Sequence, residues 1–342
     1  MRSWKVIAVN PEPEEPLAIE NEILRPLGVE IQRVTVANDE ELLAVAADAD
    51  IVAPTGWRLT GEVIRKLARC RHIPSGGIGF DHIDAEAATE SGILVTNMAE
   101  VFVEEVANQA WMLLLVVARR GLWLHEMTTS NRWQEAFDQL YPVLKVPMPR
   151  VTGQVLGLIP FGRIPRAMAK RAHGFGMSVI AYDPYVKPEV FKEAGVEQVS
   201  LDDVFRRADF VSSHLPLSKE TFHLIGDAQI RLMKPSAIFI STGRGKVVDE
   251  PALIAALQEG RIAGAGLDVF EQEPPDADNP LLHMPNVFVS PHMASVSDVS
   301  VVERHRLMGQ QIADALQGKV PHGVVNPAAI ARWRGAPVGA GR

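Results

Sequence analysis

Val155-Leu-Gly-Leu-Ile-Pro-Phe-Gly-Arg-Ile-Pro-Arg166 is the stretch on which the reading of this chain turns. Its first residues, Val155 to Ile159, have the character of a buried strand. They lead into a turn and then into a helical pattern. A second strand pattern, Ser178 to Tyr182, ends on Asp183 in Ala181-Tyr-Asp-Pro184. Strand, turn, helix and a strand closed by an acid outline a βαβ unit of the dinucleotide-binding kind. The phosphate loop of such a unit reads G-x-G-x-x-G. Here it reads Pro160-Phe-Gly162-Arg-Ile-Pro165, with glycine kept only at the middle position.

C-terminal to this unit the alternation continues. Helical patterns cover Glu189 to Glu193, Leu201 to Arg207, Ala228 to Leu232 and Pro251 to Gln258. Strand patterns cover Phe210 to His214, Ala237 to Ser241, Ala263 to Asp268 and Val287 to Ser290. N-terminal to it, strands at Lys5 to Asn10, Val29 to Val36, Ile51 to Pro54 and Ile93 to Thr96 alternate with helices. Those helices span Ala18 to Leu27, Asp39 to Ala47, Thr60 to Leu67 and Ala85 to Glu90. Strands alternating with helices of this length predict parallel sheets. The expected fold is α/β, with two doubly wound parallel-sheet domains, Rossmann-like and flavodoxin-like, and a cleft between them. A long helical run, Glu100 to Arg120, is apolar nearly all round, which predicts more than one packing partner. Trp123 to Pro149, rich in Pro and Trp with weak periodicity, reads as a loop. Val299 to Leu316 reads as a last helix, and the Pro/Gly-rich end, Gly335 to Arg342, as a fraying tail.

Composition narrows the function. The 342 residues are 47% hydrophobic and 22% charged, ordinary for a globular enzyme of about two domains. A net charge of −8 offers no electrostatic reason to bind nucleic acid. Cys70 is the single cysteine, which excludes an intrachain disulfide and a cysteine-built zinc site and suits a reducing cytoplasm. No metal site is expected. The longest apolar run, Ala110 to Ala118, is far short of the ~20 residues a membrane helix needs, and the N-terminal apolar run is too short for a signal peptide.

Polar residues gather where the predicted strands of the second domain end, the place where open α/β sheets bind ligands. Asp183 and His214, the latter before Leu215-Pro216, close two strands. Ser241-Thr-Gly-Arg-Gly245 follows another, Asp268 closes the next, and Ser290-Pro-His292 follows the last. Any one of these alone suits a structural role; several converging on one rim point to a site. Glu273 is expected to hydrogen-bond His292 and favour its protonated form. His292 then exchanges a proton with a carbonyl or hydroxyl oxygen, and Arg244 grips a carboxylate by a forked pair of hydrogen bonds. In the first domain, Ser75-Gly-Gly-Ile-Gly79 reads either as a plain tight turn or as a nest of N–H groups for an anion. A 2-keto or 2-hydroxy acid meets these demands. Arg58, in the Trp57-Arg58 loop, reads either as a solvated surface residue or as a group favouring a second acidic substituent. Trp133 and Tyr141 are further candidates for contact with the substrate side chain.

The chain resembles the D-isomer-specific 2-hydroxyacid dehydrogenase family over nearly its whole length, in the branch that includes phosphoglycerate dehydrogenases and C-terminal-binding corepressors. The resemblance rests on Gly77-Ile-Gly-Phe-Asp-His-Ile-Asp84, Gln154-Val-Leu-Gly-Leu158, Val179-Ile-Ala-Tyr-Asp-Pro184 and His214-Leu-Pro-Leu-Ser-Lys-Glu-Thr221. It continues in Ser241-Thr-Gly-Arg-Gly-Lys-Val-Val-Asp249, Gly264-Ala-Gly-Leu-Asp-Val-Phe-Glu-Gln-Glu-Pro274 and Asn286-Val-Phe-Val-Ser-Pro-His292. The resemblance implies an NAD-dependent oxidoreductase interconverting a D-2-hydroxy acid and a 2-keto acid. It places Arg244, Glu273 and His292 at catalytic positions, with Arg244 also holding substrate beside Gly76, Gly77, Ile78 and Gly79. For the cofactor it implies Gly162, Arg163, Ile164, Asp183, His214, Pro216, Thr242, Gly243, Asp268 and Ala294. Asp183 would meet the adenosine ribose and favour NAD over NADP. Residues 1–99 with 294–342 would form the substrate domain and 100–293 the NAD-binding domain, with hinges near Glu100 and Met293. A homodimer through the 100–120 helix is implied as well.

The phosphate loop departs from the family pattern. Pro160 and Pro165 lack N–H groups, and Pro165 disfavours helical geometry at Ile164, so the helix is open to starting at Pro165 instead. Losing one or two charge-assisted hydrogen bonds, roughly 1.5–3 kcal/mol each, predicts NAD binding weakened by about 10- to 10⁴-fold. Arg163 is placed to recover part of that through its side chain. Two alternatives to the dehydrogenase therefore stand. One is a non-catalytic relative that binds an acid, a partner or a weakly held nucleotide. The other is cofactor-free acid–base chemistry on a carboxylic acid.

Overall fold

The structure is a computed structural model that describes residues 4–11, 17–141, 145 and 147–334. The tail at 335–342 and most of the Pro11 to Pro16 segment lie outside the described residues. The chain divides into two compact units, Met1–Phe102 with Val296–Arg342, and Val103–Ser295.

The first unit holds strands β1 (Val6–Val9), β2 (Ile31–Val34), β3 (Ile51–Ala53), β4 (His72–Pro74) and β5 (Leu94–Thr96), in the order β2-β1-β3-β4-β5 and parallel throughout. Helices α1 (Ala18–Leu24), α2 (Asp39–Ala46), α3 (Gly61–Lys66) and α4 (Ala85–Glu90) connect them. The helix starts are written locally. Asn38, Thr60 and Asp84 each accept a hydrogen bond from the N–H three residues on, which satisfies one of the donors a helix start leaves free. The sequence reading contains no strand at His72–Pro74. All three of its residues are buried, but the flanking arginines and a terminal proline hide so short a run.

The second unit begins with α5 (Val103–Ala118). The stretch read as a loop, Trp123 to Pro149, in fact carries most of α6 (Gly121–Thr129) and all of α7 (Trp133–Leu140). Trp133, Phe137 and Tyr141 stack at a spacing of four residues along α7, with ring centroids 6.0 Å and 5.9 Å apart. That spacing, together with the Gln134–Asp138 hydrogen bond, is the helical signal that the aromatic and proline content masked. A seven-stranded parallel sheet follows. Its strands are β6 (Val155–Ile159), β7 (Ser178–Ala181), β8 (Glu197–Gln198), β9 (Phe210–Ser213), β10 (Ile238–Ser241), β11 (Gly264–Leu267) and β12 (Val287–Val289), in the order β12-β11-β10-β9-β6-β7-β8. The two-residue edge strand β8 is also absent from the sequence reading.

Helices α8 (Arg163–Gly174), α9 (Pro188–Glu193), α10 (Leu201–Arg207), α11 (Asp227–Ile230) and α12 (Glu250–Gln258) complete this unit, and α13 (Asp298–Leu316) packs on α1 in the first. The central strands are buried on both faces, so they read as continuous apolar runs. Chain order reverses between β6 and β9, which makes the carboxyl ends of those two strands the switch point.

Candidate active site

At the switch point, α8 starts at Arg163 and takes in Ile164, Pro165 and Arg166, with Gly162 as its N-cap. A start at Pro165, and with it the displacement of Ile164 from helical geometry, is therefore not what the chain adopts. Proline at the third helical position lacks an N–H that has no intrahelical acceptor in any case, and no carbonyl lies one turn back inside the helix for its ring to strike. The N–H groups of Gly162 and Ile164 have no acceptor among the described residues. A Cβ built at Gly162 would meet nothing within 4 Å, so an open surface stands before the loop. The Ile159–Pro160 peptide is cis.

Asp183, beyond β7, is buried, and its carboxylate braces the loop from behind. Oδ2 accepts from Phe161 N at 3.0 Å, and Oδ1 accepts from Tyr185 N at 2.9 Å and Val186 N at 3.2 Å. Oδ2 keeps a lone pair for a ribose hydroxyl. A nicotinamide dinucleotide fits this donor set, with free N–H groups and a helix start for the pyrophosphate and an acid for the ribose.

Farther along the rim, His214 has both ring nitrogens engaged, Nδ1 with Thr242 Oγ1 at 2.8 Å and Nε2 with Ser212 Oγ at 2.9 Å. Burial pushes its pKa down to about 3, so the ring is neutral. Its side chain thus orders the strand ends rather than presenting a free donor. Pro216, just beyond, is exposed. Thr242, Gly243 and Arg244 leave β10 together, and Arg244 Nη1 donates to the Gly243 carbonyl at 3.1 Å.

Asp268, fully buried at the end of β11, organises the turn after β12. Its Oδ1 accepts from Ser290 Oγ at 2.6 Å and Met293 N at 3.1 Å, and its Oδ2 accepts from Ala294 N at 3.0 Å. Its carbonyl accepts from His292 N at 2.8 Å. Gln109 of α5 adds a hydrogen bond to Ser290 Oγ at 2.8 Å. This bracing is what holds His292 at φ +53°, a left-handed conformation that non-glycine residues adopt at a cost of order 1–3 kcal/mol. Gln109 and Ser290 are absent from the sequence-derived site. Ser290 lies inside the Ser-Pro-His motif and was in reach; Gln109 lies 181 residues away and had no local signal.

His292 Nδ1 lies 2.7 Å from Glu273 Oε2, while Glu273 Oε1 accepts from Phe270 N at 3.0 Å. Burial acts to raise the Glu273 carboxyl, but the His292 hydrogen bond, the Phe270 N–H and the Arg244 charge outweigh it and hold it below its ordinary 4.5. With Nδ1 taken up by the carboxylate, His292 Nε2 has no partner among the described residues. The structure therefore brings Arg244, Glu273 and His292 into one electrostatic cluster within the second unit.

In the first unit, Ser75 to Gly79 follows β4. The carbonyls of this turn face inward, that of Gly77 accepting from Met98 N at 2.9 Å and that of Ile78 from Asn97 Nδ2 at 2.9 Å. Gly76 is at φ +76°, and the N–H groups of Gly76, Ile78 and Gly79 have no acceptor among the described residues. Asn97, one residue past β5, is a positioning group that the sequence reading missed. Among the described residues no cluster of three His, Cys, Asp or Glu side chains suits a metal ion. No helix of the described residues is long and apolar enough to cross a membrane.

A doubly wound unit with an open helix start at its switch point, an acid beyond the second strand and a His–carboxylate pair on the same rim defines a dinucleotide-dependent oxidoreductase. The model of the D-isomer specific 2-hydroxyacid dehydrogenase NAD binding domain matches residues 111–294. A glyoxylate reductase of Korarchaeum cryptofilum is 41% identical over 268 residues, covering 78% of this chain and 80% of that protein. The structure of a D-lactate dehydrogenase from Aquifex aeolicus with NAD and lactic acid superposes with a TM-score of 0.81 at 28% identity, covering 94% of this chain and 99% of the other. An NADPH-dependent glyoxylate/hydroxypyruvate reductase of Sinorhizobium meliloti, with NADP and malonate, gives a TM-score of 0.80 at 28% identity, covering 95% and 98%. The chain belongs to the D-isomer-specific 2-hydroxyacid dehydrogenase family. It is an oxidoreductase of hydroxy acids that works with a nicotinamide dinucleotide.

Proposed function

We propose that the chain interconverts a small D-2-hydroxy acid and its 2-keto acid with NAD, using His292 as proton donor and acceptor. The carrying observation is the 2.7 Å His292–Glu273 pair, which fixes one imidazole nitrogen and leaves the other free. In the direction of reduction, protonated His292 donates from Nε2 to the carbonyl oxygen as it gains charge. In oxidation, neutral His292 takes the hydroxyl proton. Glu273 stabilises the imidazolium and holds the ring's orientation. Arg244 pairs with the substrate carboxylate and helps hold Glu273 ionised. In the first unit, the free N–H groups of Gly76, Ile78 and Gly79, with Gly77 between them, form an element suited to a carboxylate. The dinucleotide, held by the residues named below, would supply the hydride chemistry at C2.

Gly162, Arg163 and Ile164 are assigned to the pyrophosphate. The backbone around His214, Pro216, Thr242, Gly243, Asp268 and Ala294 is assigned to the nicotinamide side. Asp183 favours NAD, because a 2′-phosphate would approach a buried carboxylate. A helix start at Arg163 supports this reading over the two alternatives raised by the prolines. We assign residues 1–99 with 294–342 to substrate binding and 100–293 to the cofactor.

A homodimer through the α5 region is supported by exposed Met112 on that helix, and by exposed Leu122, Trp133 and Phe137 on the two helices that follow. A cytoplasmic site is supported by the single cysteine, Cys70, whose thiol burial pushes up to about 12.

Oxidation of NADH followed at 340 nm across a panel of 2-keto acids, glyoxylate and hydroxypyruvate among them, tests the assignment. We expect turnover on at least one acid, and a loss of about 10³-fold or more in kcat for His292→Ala, with NADH affinity retained. Full activity of His292→Ala would overturn the role given to it. NADPH reacting as well as NADH would overturn the preference assigned to Asp183.

A further inference from the structure

Two residues before Glu273 the chain carries a second carboxylate, Glu271, with a histidine of its own. His223 Nε2 lies 2.8 Å from Glu271 Oε1, and both side chains are partly buried. Glu271 also exchanges hydrogen bonds with Glu250 at the start of α12. Its N–H donates to Glu250 Oε2 at 2.9 Å, and its Oε2 accepts from Glu250 N at 3.3 Å. His223 reaches the other catalytic arm through its backbone, donating to the Lys246 carbonyl at 3.0 Å, two residues beyond Arg244. Between the arms, Gly245 lies so close to the 270–271 backbone that a Cβ would fall 1.7 Å from the Phe270 oxygen. Phe270 N is in turn the donor to Glu273 Oε1. His223 keeps this station at φ +50°, a left-handed conformation that only strong local contacts sustain.

From this arrangement we propose that His223 and Glu271 are positioning residues, a second His–carboxylate pair that sets the Arg244 and Glu273 arms against each other and so aims Glu273 at His292. The inference rests on the roles given above to Arg244, Glu273 and His292. Neither His223 nor Glu271 touches the reacting atoms. His223 ties to the 246 backbone on one side and to residue 271 on the other, so it bridges the two segments whose spacing decides whether Arg244, Glu273 and His292 meet. Without the bridge the 270–273 segment is held through Glu250 and the Gly245 contact alone, and it turns more easily. Glu273 then swings off His292 while the phosphate loop and Asp183, on other strands, stay as they are.

His223→Asn tests this cleanly, because asparagine tolerates the left-handed backbone but is too short to reach Glu271. His223→Asn and Glu271→Ala are each expected to lower kcat for keto-acid reduction by about tenfold. NADH affinity, read by fluorescence titration, should stay within about twofold, and the high-pH fall in rate should set in at lower pH than in the wild type. The double variant should be no worse than Glu271→Ala alone, since that change already removes the contact with His223. His223→Gln carries an N–H at the same reach as the imidazole Nε2 and should restore at least half of kcat. Unchanged kcat and pH profile in His223→Asn and Glu271→Ala would overturn the proposal. So would parallel losses of kcat, NADH affinity and thermal stability, or a His223→Gln variant no better than His223→Asn. If His292→Ala itself kept full activity, the assignment of the catalytic set would fail instead, and the two failures are told apart.

Discussion

His72 in the first unit and His214 in the second are both kept neutral by burial, which lowers each pKa from 6.5 to about 3. Below pH 6.5 the unfolded chain binds a proton on each ring that the folded chain refuses. The unfolded state thus holds more protons, and stability falls as pH drops from about 6.5 towards 3, by up to about 1.4 kcal/mol per pH unit for each histidine. Glu273 acts in the same direction by the opposite route. Its carboxyl is depressed below 4.5, so its contribution is full above that value and is lost as pH falls through the folded one. Urea unfolding at pH 7.5, 6 and 5 should show this decline, with a shallower slope in His72→Gln. A flat profile across that range would contradict the burial of both rings.

At the level of the element, α8 shows how a departure from a glycine pattern is absorbed. The helix admits Pro165 because its first turn has no internal acceptor for the missing N–H. Gly162 and Ile164, the residues with free N–H groups, both precede it. The large weakening of dinucleotide binding expected from the loop sequence assumed that Ile164 would be driven out of the helix, and it is not. Replacing Pro165 by glycine, alone or with Pro160→Gly, should therefore change NADH affinity by less than about tenfold in calorimetry. The same change should lower stability by roughly 1 kcal/mol, since glycine enlarges the freedom of the unfolded chain. A hundredfold gain in affinity would show that the prolines do misdirect the loop. The α7 segment is the reverse case: it carries i,i+4 contacts among aromatics and amides, in a stretch whose composition reads as loop.

For the whole molecule, the proposed homodimer rests on the exposed apolar groups of the second unit. Trp133, Phe137 and Tyr141 stack in an exposed row along α7 and its C-cap, with Met112 and Leu122 exposed on the two preceding helices, and contiguous exposed apolar groups mark association surfaces. Light scattering at micromolar concentration should report twice the 37.4 kDa chain mass. Charge substitutions at Trp133 and Phe137 should return the mass to that of one chain. A wild-type protein that scatters as a monomer would rule out the dimer.

Hydrophobic patterning carried most of the architecture, because strands buried on both faces and helices buried on one leave unmistakable periods in the chain. The ends of β7, β9, β10, β11 and β12 were legible for the same reason, as polar residues closing apolar runs, and with them most residues of the candidate site. The three-residue β4 and the two-residue β8 were not, since so few residues set no period. Nor were the long-range contacts around the candidate site. Asp268 reaches Ala294 across 26 residues, Gln109 reaches Ser290 across 181, and His223 reaches Glu271 across 48. Such pairs form only once the sheet has brought strand ends side by side. Local sequence therefore named the His292, Glu273 and Arg244 side chains and the pairing of the first two, whereas folding alone decided the distant contacts around them and how Pro165 fits its helix.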